Sequence, residues 1–270
     1  MKDGLPTLWQ IDVSHYSEKA RWALAWKGVE HKRHSPIPGA HMAVALWLTG
    51  GAQTTFPVLT LDGRHIGDSS AIVAALEERY PDPPLYPAER EQRWRALDLE
   101  SFFDEELGPH IRQLAWYELS NDTDRFAGVM ASVAPAPLAK ISGATARYAR
   151  AYTGLRFGAG SAETAQRSRE KVIAALDRLD AELEANGGEY LVGESFSVAD
   201  LTAASLFYPL VGPPEAPLPP EQEMPERFEE FRAPLKDRPG FEWVAEMFRR
   251  HRKPGKAAAA ATGEPAGSAR

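Results

Sequence analysis

The sequence predicts an α/β unit of about 80 residues followed by an all-helical domain. Three observations predict it. Strand and helix signals alternate through the first part of the chain, the proline-rich "PDPPLYPAERE" interrupts them, and beyond it the strand signals disappear. The boundaries drawn from these are 1–86 for the α/β domain, 87–252 for the helical domain and 253–270 for a low-complexity, disordered tail.

Each element has its own reason. "TLWQIDV" (Thr7 to Val13) is a short strand of β-branched and aromatic residues. From Glu18 to Gly28, Ala20, Trp22, Ala23, Leu24 and Trp26 recur at helical spacing, and Gly28 supplies the stop. "VEHKRHSPI" reads as an edge strand, and Ala43 to Leu48 as a short helical turn. Phe56 to Leu61 and Arg64 to Ile66 form a hairpin about Asp62-Gly63, a pair suited to a two-residue turn. A helix from Ser70 to Tyr80 ends at Pro81. Arg90 to Leu119 reads as mostly helical, with a break at Leu107 to Pro109, and Ala162 to Asn186 as a long helix stopped by "NGG". "FSVADLTAASLFYPL" begins another helix, Pro209 to Pro225 reads as a loop, and Gly240 to His251 closes the folded part.

The bulk numbers narrow the function. A chain of 270 residues, 43% hydrophobic and 26% charged, has an ordinary globular balance. A net charge of −7 argues against a general nucleic-acid binder, which needs a basic surface. No apolar run approaches the roughly 20 residues of a membrane span. The first residues, "MKDGLPTLWQIDV", carry an acid and run straight into a strand, so a cytoplasmic location is expected. There is no cysteine, which removes thiolate nucleophiles, disulfides and cysteine metal sites. Any sulfur chemistry must use a thiol carried by another molecule, and no metal is expected.

Three stretches carry chemistry. In "TTFPVL", Pro57 either sits on an edge strand or follows a cis bond that turns the backbone of Phe56 toward a ligand. In "GDSSAI", Ser69 or Ser70 can cap the next helix, and a carboxylate (Asp68) beside free helix amides suits an α-amino acid headgroup. In "SHYSEKARWAL", Ser14 or Ser17 is an N-cap, with Glu18 complementing the dipole. A hydroxyl there can also donate to a thiolate, while the amides lower the thiol's pKa.

Together, a strand followed by "SxYSxKxR", then "FPVLTLDGRHIGDSSAI", then a helical domain, resembles the cytosolic glutathione transferase family. "YLVGESFSVADLTAAS" resembles that family's helix-capping segment, with Ser197 as N-cap and Asp200 as its reciprocal partner. The likeness spans roughly Thr7 to Leu210. It implies a thioredoxin-like domain that holds glutathione and a helical domain that shapes the site for a small apolar electrophile. By resemblance, Phe56, before Pro57, binds the cysteinyl part through its backbone, and Asp68 and Ser69 hold the γ-glutamyl end. Ser14 is the preferred partner of the glutathione sulfur, with Ser17 as fallback, and His41 can reach the glycyl carboxylate. His15 is expected to be exposed or capping.

The missing cysteine rules out a protein–glutathione mixed disulfide, so a catalytic chain must activate the bound thiol and direct it at the electrophile. Trp94, Phe102, Phe103, His110, Trp116 and Tyr117 are candidate pocket aromatics, and Gly108-Pro109 is either a structural kink or a widened pocket. A homodimer is implied by the resemblance. Two other readings stay open: a binding protein that keeps the fold without turnover, and a transferase that uses another low-molecular-weight thiol.

Overall fold

The computed structural model describes residues 4–36, 40–133, 142–217 and 225–253. Most of the expected tail and Pro135 and Pro137 lie outside the described residues.

The first domain contains β1 (Thr7–Trp9), α1 (His15–Trp26), β2 (Lys32–His34), α2 (His41–Leu48), β3 (Val58–Leu61), β4 (Arg64–Gly67) and α3 (Ser69–Arg79). The strands form one four-stranded sheet in the order β2-β1-β3-β4. β1 and β2 are parallel and joined by α1, while the other two pairs are antiparallel. The β3–β4 hairpin turns at Asp62 (φ 50°) and Gly63 (φ 78°), the left-handed pair that a two-residue hairpin requires. This is the thioredoxin-like arrangement the resemblance implies.

The second domain is helical. It contains α4 (Arg90–Phe102), a π-helical turn (Phe103–Leu107), α5 (Gly108–Asn121), α6 (Thr123–Val133), α7 (Ser142–Phe157), α8 (Ala162–Ala185), α9 (Val198–Val211), α10 (Glu226–Arg232) and α11 (Pro239–His251). The expected break at Leu107–Pro109 is thus a π turn leading directly into α5, with Pro109 where a first helical turn tolerates it.

α9 is buried almost all round, as a central helix must be, and packs against α1, α4, α5 and α11. Pro209 was expected to open a loop but lies inside α9. It stands two residues before the last, so it removes only one backbone bond, and Gly212 ends the helix at φ 66°. The domains meet along α1, where Trp22 stacks on Phe196 at a centroid distance of 5.6 Å and packs at a tilt against Phe248 at 4.6 Å. Tyr208 donates to the Val13 carbonyl at 2.7 Å, and the Val198 amide to Leu85 at 2.8 Å.

Asp200 organises the entry to α9. Its carboxylate accepts from the Leu191 amide, the Ser197 amide and the Ser197 hydroxyl, each at 2.8 Å. Asp200→Ala leaves those donors buried without acceptors and is expected to lower unfolding free energy by about 2–4 kcal/mol in urea titrations. Burial pushes the Asp200 carboxyl up to about 6 from 3.8, so the native state binds its proton more tightly than the unfolded chain. Its contribution is therefore full below pH 3.8 and declines as pH rises through about 6, a slope that Asp200→Ala removes.

Candidate functional site

Three loops leave the sheet from one end. Trp9, the last residue of β1, pairs with Val58, the first of β3, and Val58 pairs with Gly67, the last of β4. The loop to α1, the segment entering β3 and the entry to α3 therefore start from a single row of residues. Ser14, Phe56-Pro57 and Asp68-Ser69 belong to those three segments, so the sheet places them at one rim.

Ser14 is the N-cap of α1, with extended backbone (φ −85°, ψ 124°) and an Oγ that accepts from the Ser17 amide at 3.3 Å. The residue is half-buried, and its hydroxyl proton meets no acceptor among the described residues. The His15 and Tyr16 amides, first in α1, are likewise unspent within the described residues, as helix geometry dictates. Ser17 is different. It is fully buried, and its Oγ accepts from the Ile11 amide at 3.2 Å, so it ties the β1–α1 loop from inside.

His15 is neither exposed nor capping. It is buried, with Nε2 3.0 Å from the Gly108 carbonyl, and burial together with Arg112 pulls it down to about 3, which keeps the ring neutral. Tyr16 donates its hydroxyl to the Asp104 carbonyl at 2.7 Å, and burial holds the phenol far above its ordinary value. Gly108 makes room for it: a Cβ there would lie 2.1 Å from the Tyr16 oxygen. The Gly-Pro pair thus serves a close approach between the two domains.

The Phe56–Pro57 bond is cis, and both residues are buried. The β1–β3 ladder ends at Trp9–Val58, so the peptide groups of Phe56 lie beyond it. His41 is the first residue of α2, with its ring 6.4 Å from Phe56. The cap of α3 is Asp68, not a serine. At φ 73° its Oδ1 accepts from the Ser70 and Ala71 amides at 2.9 and 3.1 Å, while the carboxylate stays exposed. Ser69 is buried behind it.

Comparison with known proteins gives the family. Residues 8–84 match the model of the glutathione S-transferase N-terminal domain, and residues 126–236 that of the C-terminal domain. The chain belongs to the glutathione S-transferase family. A probable maleylacetoacetate isomerase from Caenorhabditis elegans is 24% identical over 208 residues, covering 77% of this chain and 80% of the relative. Among solved structures, glutathione transferase GSTFuA3 from Phanerochaete chrysosporium is similar with a TM-score of 0.60 and 20% identity, covering 91% of this chain and 96% of that one. A glutathione S-transferase from Methylobacterium radiotolerans, solved with glutathione sulfonate, has a TM-score of 0.53 at 21% identity and covers 90% and 95%.

In this glutathione transferase, the aromatics expected to line the second pocket turn elsewhere. Phe103 and Tyr117 are in the core, Trp94 is exposed, Trp116 packs on Phe126, and His110 meets Ser168 at 3.1 Å. Phe102 lies edge-on to Phe103 and beneath the Arg178 guanidinium. The side chains that do connect α5 and α7 to the rim are Arg112, Tyr152 and Phe157. Tyr152 stands edge-on to His41 at 6.1 Å and to Phe157 at 6.1 Å. The Arg112 guanidinium lies 4.7 Å from the Phe157 ring centroid and 5.7 Å from that of Tyr16. A chain of contacts thus runs from Phe56 through His41, Tyr152, Phe157 and Arg112 to Tyr16, two residues from Ser14. Sequence reasoning missed this side because its members come from helices far apart in the chain. Among the described residues no cluster of His, Asp or Glu can hold a metal ion, and no helix is long and apolar enough to cross a membrane.

Proposed function

We propose that this chain binds glutathione at the rim of its sheet and activates the thiol over the N-terminus of α1 for attack on a small electrophile. The carrying observation is Ser14: a half-buried hydroxyl at a helix N-terminus whose proton has no acceptor among the described residues. With the thiolate in place, that O–H donates to sulfur, and the unspent amides and the helix dipole favour the negative charge. Neutral His15 is turned into the helical domain and Tyr16 is bonded to Asp104, so neither takes this role. Ser17, closed inside the loop, takes none.

The remaining contacts follow from the same rim. Phe56 offers its peptide groups to the cysteinyl backbone, and Asp68 offers the rest of its exposed carboxylate to the γ-glutamyl ammonium, with Ser69 on the carboxylate side. His41, against Phe56, stands toward the glycyl end. Membership of the glutathione S-transferase family supports glutathione as the thiol co-substrate, and the relative named as a probable maleylacetoacetate isomerase supports isomerisation as a second use of the same thiolate. A homodimer and a cytoplasmic setting complete the reading.

Calorimetry with glutathione tests it. Saturable one-site binding is expected, weakened at least about tenfold in Asp68→Ala, since a charge-assisted bond is worth roughly 1.5–3 kcal/mol. Absence of glutathione binding by the folded protein would overturn the reading and favour another thiol or a protein partner.

A further inference from the structure

The helical side next to the rim carries a cation that faces no carboxylate among the described residues. Arg112 is half-buried on α5, and its Nε is sealed from solvent with no acceptor among the described residues. Among the described residues its charge is met by the faces of two rings, Phe157 at 4.7 Å and Tyr16 at 5.7 Å. A second cation, Arg156 on α7, lies over the same Phe157 ring at 5.5 Å. Burial holds its pKa below the usual arginine value, with Tyr16, Arg156 and Tyr152 acting on it as well. This contrasts with the other buried basic side chains nearby: Lys19 faces Glu100 and Asp104, and Arg21 faces Glu18.

A guanidinium left with a sealed, unsatisfied donor between two aromatic faces costs stability, and such exceptions in a folded chain call for a ligand. Its position says which end of a ligand it meets. Gly108 touches the first turn of α1 through Tyr16 and His15, and Arg112 follows one turn later on α5, about 6 Å along the axis. A group reaching from a sulfur above Ser14 toward α5 passes Tyr16 and arrives at Arg112 with Phe157 and Tyr152 beside it.

We infer that Arg112 is a specificity residue that receives a carboxylate of the electrophile, whose apolar body lies against Tyr152 and Phe157. This rests on the glutathione reading above and narrows the expected apolar electrophile to one that also bears an acid. A carboxylate matches the guanidinium fork, and the nitrogens of the half-buried side chain other than Nε are the ones that meet it.

The test is a matched pair of thioethers, S-benzylglutathione and S-(4-carboxybenzyl)glutathione, titrated by calorimetry into the wild type and into Arg112→Met. In the wild type the carboxylated ligand is expected to bind about 10–100-fold more tightly than the plain one. In Arg112→Met that preference collapses to within about threefold while S-benzylglutathione affinity is unchanged, which also shows that the variant is folded. Arg112→Lys keeps part of the preference, because it retains the charge and loses the fork. Equal affinity of the two ligands for the wild type, or an unchanged preference in Arg112→Met, overturns the inference and leaves the glutathione reading standing. If glutathione binds but neither thioether does, the cleft does not admit this substituent and the inference fails. If glutathione itself does not bind, the functional reading fails first.

Discussion

Ser14→Ala is expected to lose about 10–100-fold in kcat/KM while glutathione affinity changes less than about threefold. The hydroxyl serves the charged sulfur and not the rest of the tripeptide, so its removal acts mainly on thiol ionisation. One complication is physical, because Ser14 also caps α1. Loss of a serine cap costs about 1 kcal/mol, whereas glycine at that position costs only a few tenths. Ser14→Gly therefore separates the roles: its stability should return nearly to wild type while turnover stays as low as in Ser14→Ala. Ser14→Thr, with hydroxyl and cap both present, should retain most activity. Turnover that followed stability across the three variants would assign Ser14 to capping alone.

Lys19→Met is expected to cost about 3–5 kcal/mol of unfolding free energy, the largest stability effect among these substitutions. Lys19 is fully buried on α1, with Nζ 2.9 Å from Glu100 and 2.6 Å from Asp104 of the helical domain and 2.7 Å from the Ser70 hydroxyl of α3. Burial works against its charge, but Asp104 and Glu100 outweigh it and hold the ammonium above its ordinary value. Ser70 donates to Asp104 at 2.5 Å, so one ammonium joins α1, α3 and the π turn. Removing it leaves two carboxylates facing each other without a cation. Lys19→Met combined with Glu100→Gln is expected to recover about 1–3 kcal/mol of the loss, measured by urea denaturation as a double-mutant cycle. Strict additivity would show that the cluster does not act as a unit.

The sheet side of this molecule was legible because local rules govern it. Asp62-Gly63 requires its turn and "SVAD" its cap, while Pro57 left an edge strand or a cis bond open until the structure showed the cis bond. Tertiary contacts decided the rest. His15 looks like a surface residue until Gly108, in the other domain, is seen beneath it. Asp68 took the serines' place as cap because, at φ 73°, its Oδ1 reaches both the Ser70 and the Ala71 amides. Arg112 lies on α5, and only the arrival of Phe157, far along the chain, brings a ring face against its guanidinium. Trp116 and Tyr117, chosen for their aromatic character, belong to packing instead.

The most direct test of thiol activation is a pH titration of the ultraviolet thiolate band of glutathione bound to the wild type and to Ser14→Ala. The account predicts a bound thiol titrating about two units below the free one in the wild type and moving back by at least about one unit in the variant. A bound thiol that titrates like free glutathione in both proteins would contradict it.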